Sequence, residues 1–158
     1  MEEAIYSSPV GLLNISGSDA GIRSILYGDF VKENDKVPDS LVECIQQLDE
    51  YFNGRRKVFN LLLDAEGTDF QLRIWELLKE IPFGKTLSYL ELARISGDIK
   101  AVRAVGHANG QNKLNIVVPC HRVIGSNQKL VGYGGGLWRK EWLLKHEASF
   151  DMPGLFQQ

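Results

Sequence analysis

With 158 residues, the chain is long enough for one medium-sized domain or two small ones with a hydrophobic core. Its composition, 44% hydrophobic and 24% charged, is ordinary for a globular protein, and no apolar run reaches membrane-spanning length, which argues against a membrane protein. The net charge of −2 is unevenly divided: residues 1–82 carry 8 Lys and Arg against 15 Asp and Glu, a balance of −7, and residues 83–158 carry 10 against 5, a balance of +5. The basic half favours a polyanionic partner.

The two cysteines, Cys44 and Cys120, lie far apart, and neither they nor the three histidines stand at paired metal-ligand spacing. No zinc site is therefore expected. Because no signal-peptide pattern is present, both cysteines are expected to be reduced thiols in a cytoplasmic protein.

The first part of the chain alternates short β-like runs with turns. Residues 4–6, 12–15 and 22–27 predict three strands joined by tight turns. A helix follows from Pro38 to Phe52, with apolar residues at three- and four-residue steps. Cys44 falls on that stripe, so we expect it in the core. Residues 58–63 predict one more short strand, and residues 64–67 predict a domain boundary.

Two capping boxes open the helices of the next part. Thr68 with Gln71 begins one helix, and Ser88 with Glu91 begins another. A turn then leads to a third helix over residues 100–108, and this helix, short turn, helix order is the layout of a helix-turn-helix. The second of these helices has a small-residue surface with one long cation. Two interpretations stay open, close approach to a nucleic-acid duplex and tight packing between helices; the residues concerned are Ala101, Arg103, Ala104, Gly106 and Ala108.

Residues 117–125 predict a buried strand interrupted at Pro119, where Cys120, His121 and Arg122 stand together. A neighbouring histidine or arginine lowers a thiol's pKa and favours the nucleophilic thiolate. The alternative is a structural buried cysteine. Since adjacent residues of an extended chain point to opposite faces, a bridging water or a turn is needed before His121 can act as a base toward Cys120.

A glycine loop over residues 132–136 carries Tyr133, and a last helix runs over residues 137–147. Its tryptophans, Trp138 and Trp142, are expected in the core rather than in a site.

The Pro119-Cys120-His121-Arg122-Val123 run resembles the active-site signature of the O6-alkylguanine-DNA alkyltransferases, also called methylated-DNA–protein-cysteine methyltransferases. The resemblance is strong over residues 68–147. It extends to residues 103–106, 108–110 and 112, to residues 88–89 and 132–133, and to residues 140–144 and 146–147.

The resemblance implies an α/β (α+β) fold in two domains. Residues 1–64 would form a small ribonuclease-H-like α/β domain. Residues 65–158 would form a mostly helical, winged-helix-like DNA-binding domain that holds the helix-turn-helix and the reactive cysteine.

It also implies a direct DNA repair reaction. The alkyl group of O6-alkylguanine, and also of O4-methylthymine, would move irreversibly to Cys120 after the base is flipped out through the minor groove, so that each molecule acts once. No metal and no soluble cofactor would be required. The partner would be double-stranded DNA bound by a monomer, with no membrane, in the cytoplasm or, in a bacterium, at the nucleoid.

The resemblance assigns roles to single residues. Cys120 would be the alkyl acceptor, His121 its water-linked base and Glu147 the group that orients His121. Tyr89 would push the phosphate and donate a proton toward the guanine, and Arg103 would fill the space of the flipped base. Asn112 would brace the turn. The small residues of the second helix that would face DNA are Ala101, Ala104 and Gly106. The pocket that would hold the base is lined by Tyr133, Gly134, Val123 and Pro119.

The sequence departs from the family pattern at Lys113, where relatives usually have proline, and at Gly134, where some have a serine that contacts O6. Two other functions are alternatives. A non-enzymatic reader of alkylated DNA would lack the acceptor cysteine. A Cys-His acyl hydrolase would need a base directly on the thiol and would leave the helix-turn-helix unexplained.

Overall fold

The computed structural model describes residues 1–29, 36–126 and 130–150. The chain divides into two compact units: residues 1–66 together with Lys113–Val117, and residues 67–112 together with those from Val118 onward. The predicted mixed α/β class is confirmed, with a small sheet in the first unit and mostly helices in the second.

The first unit is an antiparallel meander covered by one helix. Strands β1 (Glu2–Ser8), β2 (Gly11–Ser18) and β3 (Gly21–Tyr27) pair in sequential order. Helix α1 (Asp39–Phe52) packs on them with its apolar stripe. The three strands and the helix agree with the sequence prediction, and Cys44 lies fully buried on the stripe, as expected. Burial raises the pKa of its thiol to about 12, so Cys44 is an unreactive core residue.

The strand predicted over residues 58–63 is wrong. This segment is irregular, and only an isolated parallel bridge joins Leu63 to Ile22. The Gln47 side chain occupies both backbone groups of Asn60, donating to its carbonyl at 3.0 Å and accepting from its N–H at 2.9 Å. Val58 and Leu62 are 74% and 67% exposed. The segment therefore lacks both the ladder and the buried face of a strand.

Residues 113–117 belong to the first unit although they follow the helix-turn-helix in sequence. Asn115 holds this segment beside β3, since its side chain and its backbone N–H both donate to the carbonyl of Ile25, at 2.8 and 3.3 Å. Ile116 has a φ of 74°, and the N–H of Val117 donates to Asn115 O at 2.8 Å across it. This is a γ-turn with a positive central φ, a costly conformation for a β-branched residue.

The second unit begins with helix α2 (Asp69–Leu78), and its predicted capping box is present, with both the Thr68 and the Gln71 bonds made. Strand β4 (Leu87–Ser88) and helix α3 (Tyr89–Ser96) follow, and the second predicted capping box is also present.

Helix α3 ends at Gly97 with a φ of 104°, a left-handed cap that glycine adopts without steric cost. A 3₁₀ turn (Ile99–Ala101) and helix α4 (Val102–Gly110) complete the helix-turn-helix. The predicted helix start at residue 100 thus lies inside the 3₁₀ turn, because Asp98 caps that turn through Lys100 N–H at 2.9 Å.

The last elements are a 3₁₀ turn (Cys120–Arg122), strand β5 (Val123–Ile124), which pairs in parallel with β4, and helix α5 (Leu137–Phe150). The expectation of a core position is wrong for Trp138, which is 55% exposed. Its ring instead lies under the guanidinium of Arg139, whose Cζ is 4.6 Å from the ring centroid. Trp142 is half-buried and stacks on His146 at 4.9 Å. Within the described ranges, no helix is both long and apolar enough to span a membrane.

Candidate active site

The reactive residues lie on a tight turn rather than within a strand. Pro119 has a φ of −81° and a ψ of 63°, and Cys120 N–H donates across it to Val118 O at 2.8 Å. Arg122 N–H then donates to Pro119 O at 3.0 Å. The predicted strand before Pro119 is therefore wrong, because these backbone groups bond locally and not to a neighbouring strand. The turn supplies the change of direction that the adjacent Cys120 and His121 require.

Cys120 is buried, at 5% exposure, and two asparagines bond the chain around it. Asn112 donates to Val118 O at 2.8 Å, and Asn109 donates to Cys120 O at 3.4 Å. Burial raises the pKa of the Cys120 thiol, and a hydrogen bond with Asn112 and the charge of Lys140 only partly offset this effect. The predicted lowering of the thiol pKa by neighbouring His121 or Arg122 is thus wrong for this state of the molecule, in which the thiol is protonated at neutral pH.

His121 and Glu147 form a completely buried pair. Imidazole Nε2 lies 2.7 Å from Glu147 Oε2. Burial lowers the pKa of His121 more than the carboxylate raises it, so the imidazole is neutral. Burial also works to raise the pKa of Glu147, but His121 and Arg122 outweigh it and hold that pKa well below its ordinary value. An ionised carboxylate can only accept, so Nε2 carries the proton and Nδ1 keeps its lone pair.

That Nδ1 atom has no hydrogen-bond partner among the described residues, although it is buried. Such an atom needs a partner, and a water or a substrate proton fits it. His121 therefore presents a proton acceptor whose other nitrogen is already fixed.

Tyr89 and Lys140 meet above the turn. The Tyr89 hydroxyl donates to Val131 O at 3.2 Å, and Lys140 Nζ donates to the same oxygen at 2.9 Å. Nζ also donates to Val123 O at 2.6 Å and to Gly132 O at 3.2 Å, and it lies 5.9 Å from the Tyr89 ring centroid. Burial lowers the pKa of Lys140 to about 8, while nearby Cys120 acts to raise it. Burial and then Cys120 raise the pKa of Tyr89, with Asn109 acting against them, so the phenol keeps its proton.

The small-residue helix α4 has an exposed side. Arg103 and Ala104 are exposed, and Ala101 and Gly106 are half-buried. A Cβ on Gly106 would lie 3.6 Å from the Tyr89 ring, so the glycine lets the ring pack closely on α4.

The predicted base-pocket residues lie in two places. Pro119 and Val123 are buried on either side of the reactive turn. Tyr133 and Gly134 lie in the glycine loop, where Tyr133 is half-buried and accepts from Gly136 N–H at 2.9 Å. A Cβ on Gly134 would have nothing within 4 Å, so the loop leaves open space at this position.

Sequence reasoning missed the roles of Lys140 and Asn109, and it placed Arg122 against the thiol rather than against Glu147. A signal for Lys140 does exist. It precedes Leu143 and Glu147 at three- and four-residue steps, on the face of α5 that is buried. Among the described residues, no group of His, Cys, Asp and Glu side chains is arranged to hold a metal ion.

Comparisons with known proteins agree over most of the chain. The family model of the 6-O-methylguanine DNA methyltransferase DNA binding domain matches residues 69–149, and that of the 6-O-methylguanine DNA methyltransferase ribonuclease-like domain matches residues 1–65. The methylated-DNA–protein-cysteine methyltransferase of Methanosarcina acetivorans is 48% identical, over 94% of this chain and 99% of that protein. That of Mycolicibacterium paratuberculosis is 43% identical over 93% and 92%.

Solved structures give the same result. The Mycobacterium tuberculosis O6-methylguanine methyltransferase has a TM-score of 0.86 at 40% identity and covers 98% of this chain and 96% of its own. A crystal structure of Mycobacterium tuberculosis OGT in complex with DNA also has a TM-score of 0.86, at 41% identity, with coverage of 95% and 94%. By both fold and sequence, this chain matches the class of methyltransferases that act on alkylated DNA. The chain belongs to the 6-O-methylguanine DNA methyltransferase family.

Proposed function

We propose that this protein repairs DNA directly, by moving the alkyl group of O6-alkylguanine onto its own Cys120. Family membership gives the reaction, methyl transfer from DNA to a protein cysteine. The observation that supports the acceptor is the buried Cys120 thiol, which lies in the turn next to a neutral imidazole with an unpartnered Nδ1.

In the proposed reaction, a water carries the thiol proton from Cys120 to His121 Nδ1. The thiolate then attacks the alkyl carbon, a carbon–sulfur bond forms, and the carbon–O6 bond breaks with its electron pair passing to the guanine. The Tyr89 hydroxyl protonates the departing guanine, and its proton is replaced from solvent, to which His121 loses its own. Asn112 holds the turn, and Lys140 favours the developing thiolate through its charge.

Access to O6 requires the base to leave the stack. We propose that double-stranded DNA binds through its minor groove to the exposed side of α4, where Ala101, Ala104 and Gly106 permit close approach. Arg103 fills the gap left by the flipped base, and Tyr89 pushes the phosphate. The base is proposed to lie against Pro119, Val123, Tyr133 and Gly134, and the open space around Gly134 supports room for it at that position.

The proposal extends to the setting of the reaction. The protein acts as a monomer, in the cytoplasm or at a bacterial nucleoid, and accepts O4-methylthymine as a second substrate. Its two domains span residues 1–64 and 65–158, a division that the two compact units support apart from residues 65–66 and 113–117, which belong to the first unit.

The product makes the reaction a single event. A thioether has sulfur between two saturated carbons and offers no leaving group to water or to a thiol, so each molecule repairs one base. The experiment uses duplex DNA with a labelled O6-methyl group, followed by mass spectrometry of peptides. We expect one label per protein on the Cys120 peptide, none with Cys120→Ser, and full transfer with the control Cys44→Ser.

Label that stays on bound DNA would indicate a reader of alkylated bases, and many repaired bases per protein molecule would exclude the proposed product.

A further inference from the structure

Glu147 is bound by more than its histidine. Arg122 holds it with two bonds, Nε to Oε1 at 2.8 Å and Nη2 to Oε2 at 3.1 Å, and its third nitrogen, Nη1, donates to Ile81 O at 2.7 Å. Gly84 N–H adds a long contact to Oε1 at 3.4 Å. The guanidinium is buried, and its Cζ lies 5.8 Å from the Phe83 ring centroid. A two-point arginine–carboxylate pair of this kind is rigid and strong.

The carboxylate beside His121 is therefore already neutralised before the histidine takes up a proton. A buried Glu147 with His121 as its only partner would draw a proton onto the imidazole, because one buried negative charge needs one positive charge. Arg122 supplies that positive charge.

We propose that Arg122 is a positioning residue for the transfer, which by pairing with Glu147 keeps His121 neutral, with its proton on Nε2 and its Nδ1 lone pair ready for the Cys120 proton. This inference rests on the proposed role of His121 as the base. The inference adds Arg122, a residue that does not contact the substrate but sets the protonation state of His121.

The other charged or titratable groups near His121 act in known directions. Glu147 of α5 raises the pKa of His121, while Arg122 of the turn and Lys140 of α5 lower it after burial, which is the largest effect. Removing the Arg122 charge leaves burial and Lys140 against a Glu147 that has lost its arginine, so the His121–Glu147 pair takes up one proton at a higher pH. Whether that proton resides on His121 or on Glu147, Nδ1 no longer accepts: the imidazole is charged in the first case, and its proton moves to Nδ1 in the second.

The test uses the full-length protein with Arg122→Met, Arg122→Gln and Arg122→Lys. The first two remove the charge, Gln while keeping an amide donor for Glu147, and Lys keeps the charge. The matched control is Lys145→Met, which removes a cation from α5, the helix that carries Glu147, at a side chain that is 77% exposed. Two quantities are followed against pH: the ¹⁵N chemical shifts of the His121 ring and the single-turnover transfer rate from an O6-methylguanine duplex. The other two histidines, His107 and His146, are assigned by substitution.

We expect the wild type at neutral pH to show a neutral ring with a protonated Nε2 and a bare Nδ1. In Arg122→Met and Arg122→Gln the proton uptake moves to higher pH, the rate at pH 7 falls about tenfold for each unit by which the midpoint of uptake exceeds pH 7, and raising the pH restores the rate. Arg122→Lys and Lys145→Met keep the wild-type profile.

A positively charged His121 ring in the wild type at pH 7 overturns the inference, even if neither Arg122→Met nor Arg122→Gln folds. So does an unchanged His121 titration in the Met and Gln variants, or a loss of rate in all three Arg122 variants that no pH restores. The ring titration can be measured without any transfer activity. A failure of this inference is therefore distinct from a failure of the proposed function, which would show as wild-type protein that leaves the label on DNA.

Discussion

At Cys120, two effects act on the thiol in opposite directions. Burial disfavours the thiolate, while the Asn112 hydrogen bond and the Lys140 charge favour it, and burial is the larger. A protonated, buried thiol is protected from oxidants and from stray alkylating agents. In the proposed reaction, the thiol therefore ionises only in the complex with DNA, where His121 accepts its proton as the alkyl carbon arrives.

This balance predicts the pH dependence of labelling by a small reagent. Iodoacetamide reacts with thiolate, so a raised pKa shifts the labelling curve of Cys120 to higher pH than the value of about 8.5 for an ordinary cysteine. Lys140→Met removes a charge that lowers the pKa and shifts the curve further upward, whereas the exposed Lys145→Met leaves it in place. Peptide mass spectrometry measures the rate at each pH, with the buried Cys44 as an unlabelled internal reference.

A wild-type curve with its midpoint at or below that of a free cysteine would contradict the assignment, as would identical curves for the wild type and Lys140→Met.

The helix-turn-helix combines a fixed frame with an open surface. Its first helix starts at a capping box and ends at a glycine cap, and Arg73 of α2 donates to Ser96 O at that end. Trp75 of α2 donates to Ala108 O of α4 at 2.8 Å. These bonds fix both helices from α2, so the exposed side of α4 is presented on a rigid element.

Arg103 on that side is predicted to aid base flipping. Arg103→Ala should slow repair of duplex DNA by the equivalent of a few kcal/mol, roughly the cost of unstacking a base, while reaction with free O6-methylguanine base changes little. Arg94→Ala on α3 is the matched control, since it also removes one exposed cation. Single-turnover rates on the two substrates provide the measurement, and an equal loss on both would show that Arg103 has another role.

The sequence predicts elements well where local signals decide. Thr68 with Gln71 and Ser88 with Glu91 bond as the pattern indicates, because a cap needs only residues three apart. It fails where distant residues decide. The Gln47 amide bonds to the backbone groups that a strand at Asn60 would have used. A buried lysine on α5 cannot be told from an exposed one in the sequence, because the carbonyls that surround it come from distant residues.

Within the site, the geometry of adjacent residues indicated that either a bridging water or a turn is needed between Cys120 and His121, and the structure has a turn there. The environment of the thiol did not follow. Arg122 stands two positions from Cys120 in sequence, but its partners are Glu147 and Ile81, which are distant in the chain. Its position in the sequence therefore suggested that the Arg122 charge lowers the pKa of the thiol, whereas in the fold that charge pairs with Glu147.

For the whole molecule, charge divides along the sequence, with −7 over residues 1–82 and +5 over residues 83–158. A protein with a near-neutral total can still bind a polyanion through its basic part, because screening limits charge interactions to about 10 Å at ordinary ionic strength.

DNA affinity should therefore fall as salt rises, because phosphate contacts release counterions. Lys100→Ala, at the exposed turn before α4, should weaken binding and reduce the slope of log affinity against log salt by about one. Lys57→Ala, an exposed lysine of the first unit, is the control and should leave the slope unchanged. Fluorescence anisotropy with unmodified duplex at several salt concentrations measures both, and a salt-independent affinity of the wild type would exclude the charge argument.

The carbonyl of Val131 accepts from both Tyr89 and Lys140. In the proposed reaction, when the tyrosine leaves this oxygen for a phosphate or a guanine, the lysine still donates to it, and the acceptor is not left without a donor. The Tyr89 side chain can therefore move without changing the bond between Lys140 and the Val131 carbonyl. Tyr89 can then exchange one partner for another at small cost, while Lys140 holds residues 131 and 132, which border the glycine loop, through its bonds to their carbonyls.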